Sequence, residues 1–216
     1  MFACPKQAEY GRLVPKTKMF ANAKPTKRVK ALFAAQVEEI LWKYKLSPDT
    51  INLPARRGIQ EIQIFEMTLK TETLAEEILH TIDKAIPSPI VYRLNFGGKT
   101  KFGAGFKRPS ESDPSKNVIV SYFFSDWVSP TVPLPHMPRT LDLAALYDEM
   151  LSSLIPLARR PGESTAGLVE RMVQIRAEVR ECAHLEERLA KERQFNRKVE
   201  INANLRRHRM ALSDLS

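Results

Sequence analysis

The sequence predicts an α+β fold: a small, largely antiparallel sheet of about four strands with packed helices, followed by a long C-terminal coiled-coil-like helix. Three observations predict it. Alternating and doubly apolar runs of strand length lie between residues 60 and 124. Segments with apolar residues at steps of three and four flank those runs. Finally, a charge-rich stretch from Ser164 to about Leu212 carries an apolar seam with no room for a strand break.

Taken in order, residues 1–25 form a basic N-terminal arm, with Lys16, Lys18 and Lys24 interrupted by Pro5, Pro15 and Pro25. Thr26 is placed to cap a first helix reaching about Lys45. Its stripe is Val29, Leu32, Phe33, Gln36, Val37, Ile40, Leu41 and Tyr44. Ser47-Pro48-Asp49 stops it. Gln60–Lys70 reads as a central strand, apolar on both faces. Thr73 to Glu76 has the spacing of a capping box, opening a second helix with Leu74, Ile78, Leu79 and Ile82 inward. Ile90–Phe96 alternates, Gly97-Gly98 is a tight-turn signal, and Lys99–Arg108 should return antiparallel. A polar loop, Pro109 to Lys116, precedes a fourth strand from Asn117 to about Phe124.

These elements define an α+β domain over 26–128. Residues 129–160 follow as a connector rich in proline (Pro130, Pro133, Pro135, Pro138) and an amphipathic helix capped by Thr140. Pro156 and Pro161-Gly162 separate them from the helical arm, 161–216. As one helix, its last fifty or so residues would be roughly 75 Å long. Leu168, Met172, Ile175, Val179 and Cys182 follow heptad spacing, and the seam resumes at Leu185 and Leu189, then at Asn196, Val199 and Ala203. A small core cannot cover so long a seam. It therefore calls for a partner protein, a second copy, or a fold back on a second helix, with Asn196 setting register.

The net charge of +9 sits at the ends: +7 in residues 1–30 and +6 in 188–210, against −3 in 31–187 and −1 from Asp214. Such blocks suit nucleic-acid phosphates or an acidic protein face, although a solvated surface is the simpler reading of either alone. The nucleic-acid candidates are Lys16, Lys18, Lys24, Arg197, Lys198, Arg206, Arg207 and Arg209. Two distant cysteines, the lack of a secretory signal and the lack of a long apolar run point to a cytoplasmic protein without a membrane span.

Catalytic chemistry is not written in the sequence. Asn95 to Thr100 lacks the first glycine of a phosphate loop and lies between strands, so a hairpin fits better. Glu66 and Lys70 on one strand face are the best approach to a metal-dependent nuclease. The usual Glu-x-Lys is missing, since Thr68 stands where the lysine would be, and a strand-face salt bridge is the simpler reading. His80, His136, His184 and His208 have no ligand spacing. No catalytic residue, metal ligand or cofactor is expected.

Val14 to Phe20, Glu61 to Glu66, Ile82 to Pro89 and Arg193 to Asn202 together resemble a bacterial family known as a domain of unknown function. The resemblance spans essentially the whole chain. It implies a setting beside helicase-like ATPases and adenine DNA methyltransferases, in loci resembling restriction or phage-defence systems. It supplies no catalytic residues. The reading that follows is a non-catalytic accessory subunit. Leu168, Met172, Ile175, Val179, Leu185, Leu189, Asn196 and Val199 would bind the partner, which the resemblance makes a helicase-like ATPase or methyltransferase of the same locus. A nucleic-acid-binding module is the alternative, and a divergent nuclease at Glu66 and Lys70 a minor one.

Overall fold

The computed structural model describes residues 1–110 and 117–216, in two compact units, Met1–Ile155 and Pro156–Ser216. From Glu111 to Lys116 the polar loop read from the sequence lies outside the described residues.

The first unit is built on one six-stranded sheet in sequential order: β1 (Glu9–Leu13), β2 (Val37–Leu46), β3 (Ile62–Leu69), β4 (Ile90–Phe96), β5 (Lys99–Pro109) and β6 (Asn117–Phe124). Every neighbouring pair is antiparallel except β3 and β4. That pair is parallel because helix α4 (Glu76–Ala85) carries the chain back between them. The mixed, largely antiparallel sheet is the one expected, with six strands in place of about four.

Both extra strands come from segments that sequence reading placed elsewhere. The basic arm is ordered: a turn of 3-10 helix at Lys6–Ala8, strand β1, and helix α1 (Lys16–Ala23). Tyr10 packs against Trp42 with tilted rings, centroids 4.4 Å apart, and Met19 is buried, so the arm is held by apolar contact. The first helix, α2 (Lys27–Gln36), starts at the Thr26 cap as expected, Thr26 Oγ1 accepting from Val29 N at 3.3 Å. It ends at Gln36, and β2 begins at once. The three-four stripe beyond Val37 was misleading. Val37, Ile40, Trp42 and Tyr44 are β-branched or aromatic, and a pleated ladder to β3 from Val37↔Leu69 to Leu46↔Ile62 outweighs helical periodicity.

Helices α1, α2 and α4 cover one face of the sheet. There Phe33, Val37, Phe65, Met67, Ile78, Leu79, Ile82, Ile90 and Tyr92 form the main core. Helix α4 opens at Ala75 without a side-chain cap, so the Thr73–Glu76 capping box does not form. A short helix, α3 (Pro48–Ile51), does carry a reciprocal box between Ser47 and Thr50. The Gly97-Gly98 turn has φ of +54° and +73°, both left-handed, as a two-residue hairpin requires. On β5, Gly103 is forced by its neighbour: a Cβ there would sit 2.5 Å from the Phe124 ring.

On the opposite face lies α5 (Leu143–Ser152), anchored by Tyr147, whose hydroxyl donates to Gly105 O at 2.6 Å. Its cap is Asp142 rather than Thr140, with the carboxylate accepting from Ala145 N at 2.8 Å. The proline-rich connector and this helix, read from the sequence as a segment of their own, belong to the same compact unit as the sheet.

The second unit holds two helices where the sequence predicts one, α6 (Thr165–Lys191) and α7 (Phe195–Leu215). Ser164 caps α6, its hydroxyl accepting from Gly167 N at 3.1 Å. The break is chemical: the Glu192 carboxylate accepts from Arg193 N at 2.7 Å and Gln194 N at 2.8 Å, drawing the backbone out of helix. The two helices then run antiparallel. Cys182, Leu185 and Leu189 of α6 pack on Ile201, Leu205 and Leu212 of α7. At the open end the Arg171 guanidinium donates to Leu215 O at 3.0 Å, and nearer the turn Glu178 meets His208 at 2.6 Å.

Candidate functional site

The hairpin uses up only part of the seam. Leu185 and Leu189 lie in the inter-helix core, and Leu168 is also buried. Met172 and Ile175 are half-buried. Asn196 is exposed at the start of α7, outside the buried core, so it does not set the hairpin's register. The inward positions of α7 are Ile201, Leu205, His208 and Leu212, spaced four, three and four. The seam through Asn196, Val199 and Ala203 is out of phase with them. The chain break at Glu192 resets helical phase, and a seam extrapolated across it falls on the wrong side.

What falls on the wrong side is exposed. Phe195, Val199, Ala203, Arg206 and Met210 recur at steps of four, four, three and four, sharing one outer stripe of α7. Phe195 is 77% exposed, Met210 69% and Val199 52%, and Val179 of α6 is 51% exposed. These large apolar side chains of α7 are grouped along one helix face rather than scattered singly.

Basic groups surround that stripe. Between Phe195 and Leu215 stand Arg197, Lys198, Arg206, Arg207 and Arg209, opposed by Glu200 and Asp214. Arg209 pairs with Glu186 at 2.7 Å and Arg207 donates to Asn204 at 2.9 Å. Arg197, Lys198 and Arg206 are exposed. At the other end of the chain, Lys18 and Lys24 are exposed, whereas Lys16 is spent on the fold: its ammonium donates to Val37 O at 2.5 Å and Phe33 O at 3.4 Å. The two basic blocks thus fall in different compact units.

The residues of the nuclease reading do not come together. Glu66 lies between Lys43 at 3.8 Å and Arg93 at 3.4 Å, while Lys70 donates to Ala34 O at 2.9 Å. Among the described residues, no three His, Cys, Asp or Glu side chains are grouped as metal ligands would be.

One polar constellation was missed from the sequence. Asp83 is buried near the end of α4, where its Oδ2 accepts from the hydroxyls of Tyr92 at 2.9 Å and Tyr122 at 2.5 Å. Its Oδ1 is 2.9 Å from Lys107 Nζ, and the same ammonium donates to Ile86 O at 3.0 Å and Ser88 O at 2.7 Å. Burial lowers the Lys107 pKa, with Asp83 opposing, and burial raises Tyr92 and Tyr122, with Asp83 adding to the rise. All three donors of the ammonium are engaged inside the protein, so the group is a clamp tying α4 to β4, β5 and β6. The sequence held one sign of it, an aspartate on the inward stripe Leu79, Ile82, Asp83.

The fold and these surfaces define an α+β protein that carries a helical hairpin with an apolar, basic outer face. The family model described as Domain of unknown function (DUF4391) matches residues 2–212, and the chain belongs to that family. No curated protein and no solved structure matches it. Among the described residues, no helix is long and apolar enough to cross a membrane.

Proposed function

We propose that this chain is a non-catalytic accessory subunit of a bacterial DNA-processing or phage-defence assembly, docking a protein partner through the outer face of its C-terminal hairpin. The observation that supports it is the stripe of Phe195, Val199 and Met210 on α7, left in water after the hairpin has buried its own core. The excess of basic over acidic residues on α7 favours a partner whose apolar helix face is rimmed by Asp and Glu. The sequence resemblance suggests a helicase-like ATPase or a DNA methyltransferase of the same locus for that role.

The test is co-purification from the native operon, comparing the full chain with a Phe195→Asp, Met210→Asp variant. Retention of a helicase or methyltransferase by the first and its loss by the second is the expected result. Equal retention by both would sink the assignment, and a concentration-dependent dimer that needs the same residues would replace it with self-association.

A second reading, nucleic-acid binding, is favoured by exposed Arg197, Lys198 and Arg206. It requires affinity that falls steeply with salt, and a flat dependence rejects it.

A further inference from the structure

The sheet face opposite α1, α2 and α4 carries a charge cluster with no role in the hairpin. Lys43, Glu66 and Arg93 stand on the neighbouring strands β2, β3 and β4, with Glu66 directly opposite Arg93 in the ladder. One carboxylate therefore faces two cations, at 3.8 Å from Lys43 and 3.4 Å from Arg93. Both distances exceed those of good charge-assisted hydrogen bonds. The Nε of Arg93 is buried without a hydrogen-bond partner. A guanidinium carries five donors and cannot shed its charge, so this one is under-satisfied.

Arg93 also lines a cleft of about 340 Å³. The rest of the wall is Ala3, Thr100, Phe102 and the segment 128–134, which turns at Pro130 and Thr131 and contributes Val128, Pro130, Pro133 and Leu134. Its polar groups are largely committed. Thr100 Oγ1 donates to Asn95 Oδ1 at 2.8 Å, the Thr100 backbone is bridged to Val128 in both directions at 2.8 Å, and the Ser129 and Thr131 hydroxyls pair at 2.8 Å. Among the residues lining it, Arg93 alone is ionised at neutral pH. The cleft thus offers an apolar wall and a single cation whose charge Glu66 shares with Lys43.

We propose that this cleft binds a monocarboxylate, with its apolar body against Phe102 and the proline-bearing segment and its carboxylate on the donors of Arg93 that Glu66 leaves open. One surplus positive charge suits a single negative one. A phosphate dianion would want a second cation on the cleft wall, and none lines it. The same chemistry is presented by a small free acid and by the C-terminal carboxylate of a peptide.

The experiment is nitrogen–proton NMR of the arginine side chains in the full chain, with the Arg93 signal assigned from an Arg93→Lys variant. Benzoate is the small-acid probe and benzamide its neutral control. A short apolar peptide with a free C-terminus, and the same peptide amidated, form the second arm. The expected result is a saturable shift of the Arg93 signal by benzoate with Kd on the order of 1 mM, and none by benzamide. Tighter binding of the free peptide than of benzoate assigns a chain terminus as the source; the reverse assigns a small acid. Glu66→Gln removes the competing carboxylate and should tighten binding about tenfold, the usual worth of one charge-assisted contact. No saturable shift up to tens of millimolar benzoate or peptide, an equal response to the neutral controls, or no gain in the Glu66→Gln protein overturns the proposal. The last two readouts stand even where Arg93→Lys fails to fold.

Discussion

Lys16 and Lys70 close on the same helix end: Lys16 Nζ donates to Phe33 O and Val37 O, and Lys70 Nζ to Ala34 O. Helix α2 has no basic residue in its own last turn, and β2 follows it without a loop. Val37 N already donates to Phe33 O and Lys70 N to Gln36 O, and two cations set against the negative end of the helix dipole add to these, Lys70 at Ala34 O and Lys16 at Phe33 O and Val37 O. Burial, and then the neighbouring charge of Lys70, lowers the Lys16 pKa. Each Lys→Met substitution should cost about 1 kcal/mol. The double variant should lose more than the sum, because each single substitution also relieves the repulsion between the two cations and the double can relieve it only once. Urea denaturation of the four proteins checks both statements.

The Asp83–Lys107 clamp makes a second prediction. Removing one partner strands the other in the interior, so Asp83→Asn and Lys107→Met should each cost about 3–5 kcal/mol. Replacing both should cost less than either alone, which is the signature of a pair rather than of two packing sites. Thermal unfolding of the single and double variants measures this.

Alkaline pH should unfold the protein through its buried phenols. Burial raises Tyr92, Tyr122 and Tyr147 above the ordinary value near 10, so the folded chain keeps protons that the unfolded chain sheds. Their contribution is complete below pH 10 and falls as pH rises above it. Lys107 works the other way, since its lowered pKa lets the unfolded state bind the proton more tightly. Lys16 works the same way as Lys107, while Tyr44 and Cys4 are raised like the three phenols. The raised groups thus outnumber the lowered lysines, and stability falls by about 1.4 kcal/mol per pH unit for each raised group in excess. Denaturant midpoints taken on either side of pH 10 should show the fall, and Tyr92→Phe should make it shallower.

In the hairpin the two faces of α7 should respond oppositely to truncation. Leu205 is in the inter-helix core, so Leu205→Ala should cost about 2–5 kcal/mol. Val199 is exposed, so Val199→Ala should change stability by no more than about 0.5 kcal/mol. Loss of partner capture by a Val199 variant of unchanged melting temperature would separate docking from folding.

Acid should loosen the same hairpin at Glu163. Its carboxylate accepts from Arg171 Nε and Nη2, both at 2.8 Å, and these bonds, with Arg160 N, hold its pKa down to about 2 from 4.5. A depressed folded pKa gives stability that is present above pH 4.5 and lost as pH falls toward 2. The helical circular dichroism signal of the full chain should melt at lower temperature across that window. Glu163→Gln should make that dependence shallower, leaving the share carried by Glu77, Asp142 and Glu192, whose pKa values are also lowered.

The sequence by itself determined the class and much of the frame. Alternation placed β4, the glycine pair placed its hairpin to β5, and Thr26 and Ser164 marked helix starts, because each of these signals is satisfied by neighbours in the chain. It also placed an apolar helical seam in the C-terminal region, part of which is the inter-helix core. What only the tertiary structure decided was settled by distant partners. Val37 to Leu46 became strand because β1 and β3 lie on either side of it, and Lys16 and Lys70 turned inward onto carbonyls at the negative end of α2. Likewise, a carboxylate at Glu192 bent one expected helix into two, choosing which apolar residues are buried and which are left exposed. Periodicity records which side chains share a face. The energy that decides what the face meets comes from contacts far apart in sequence.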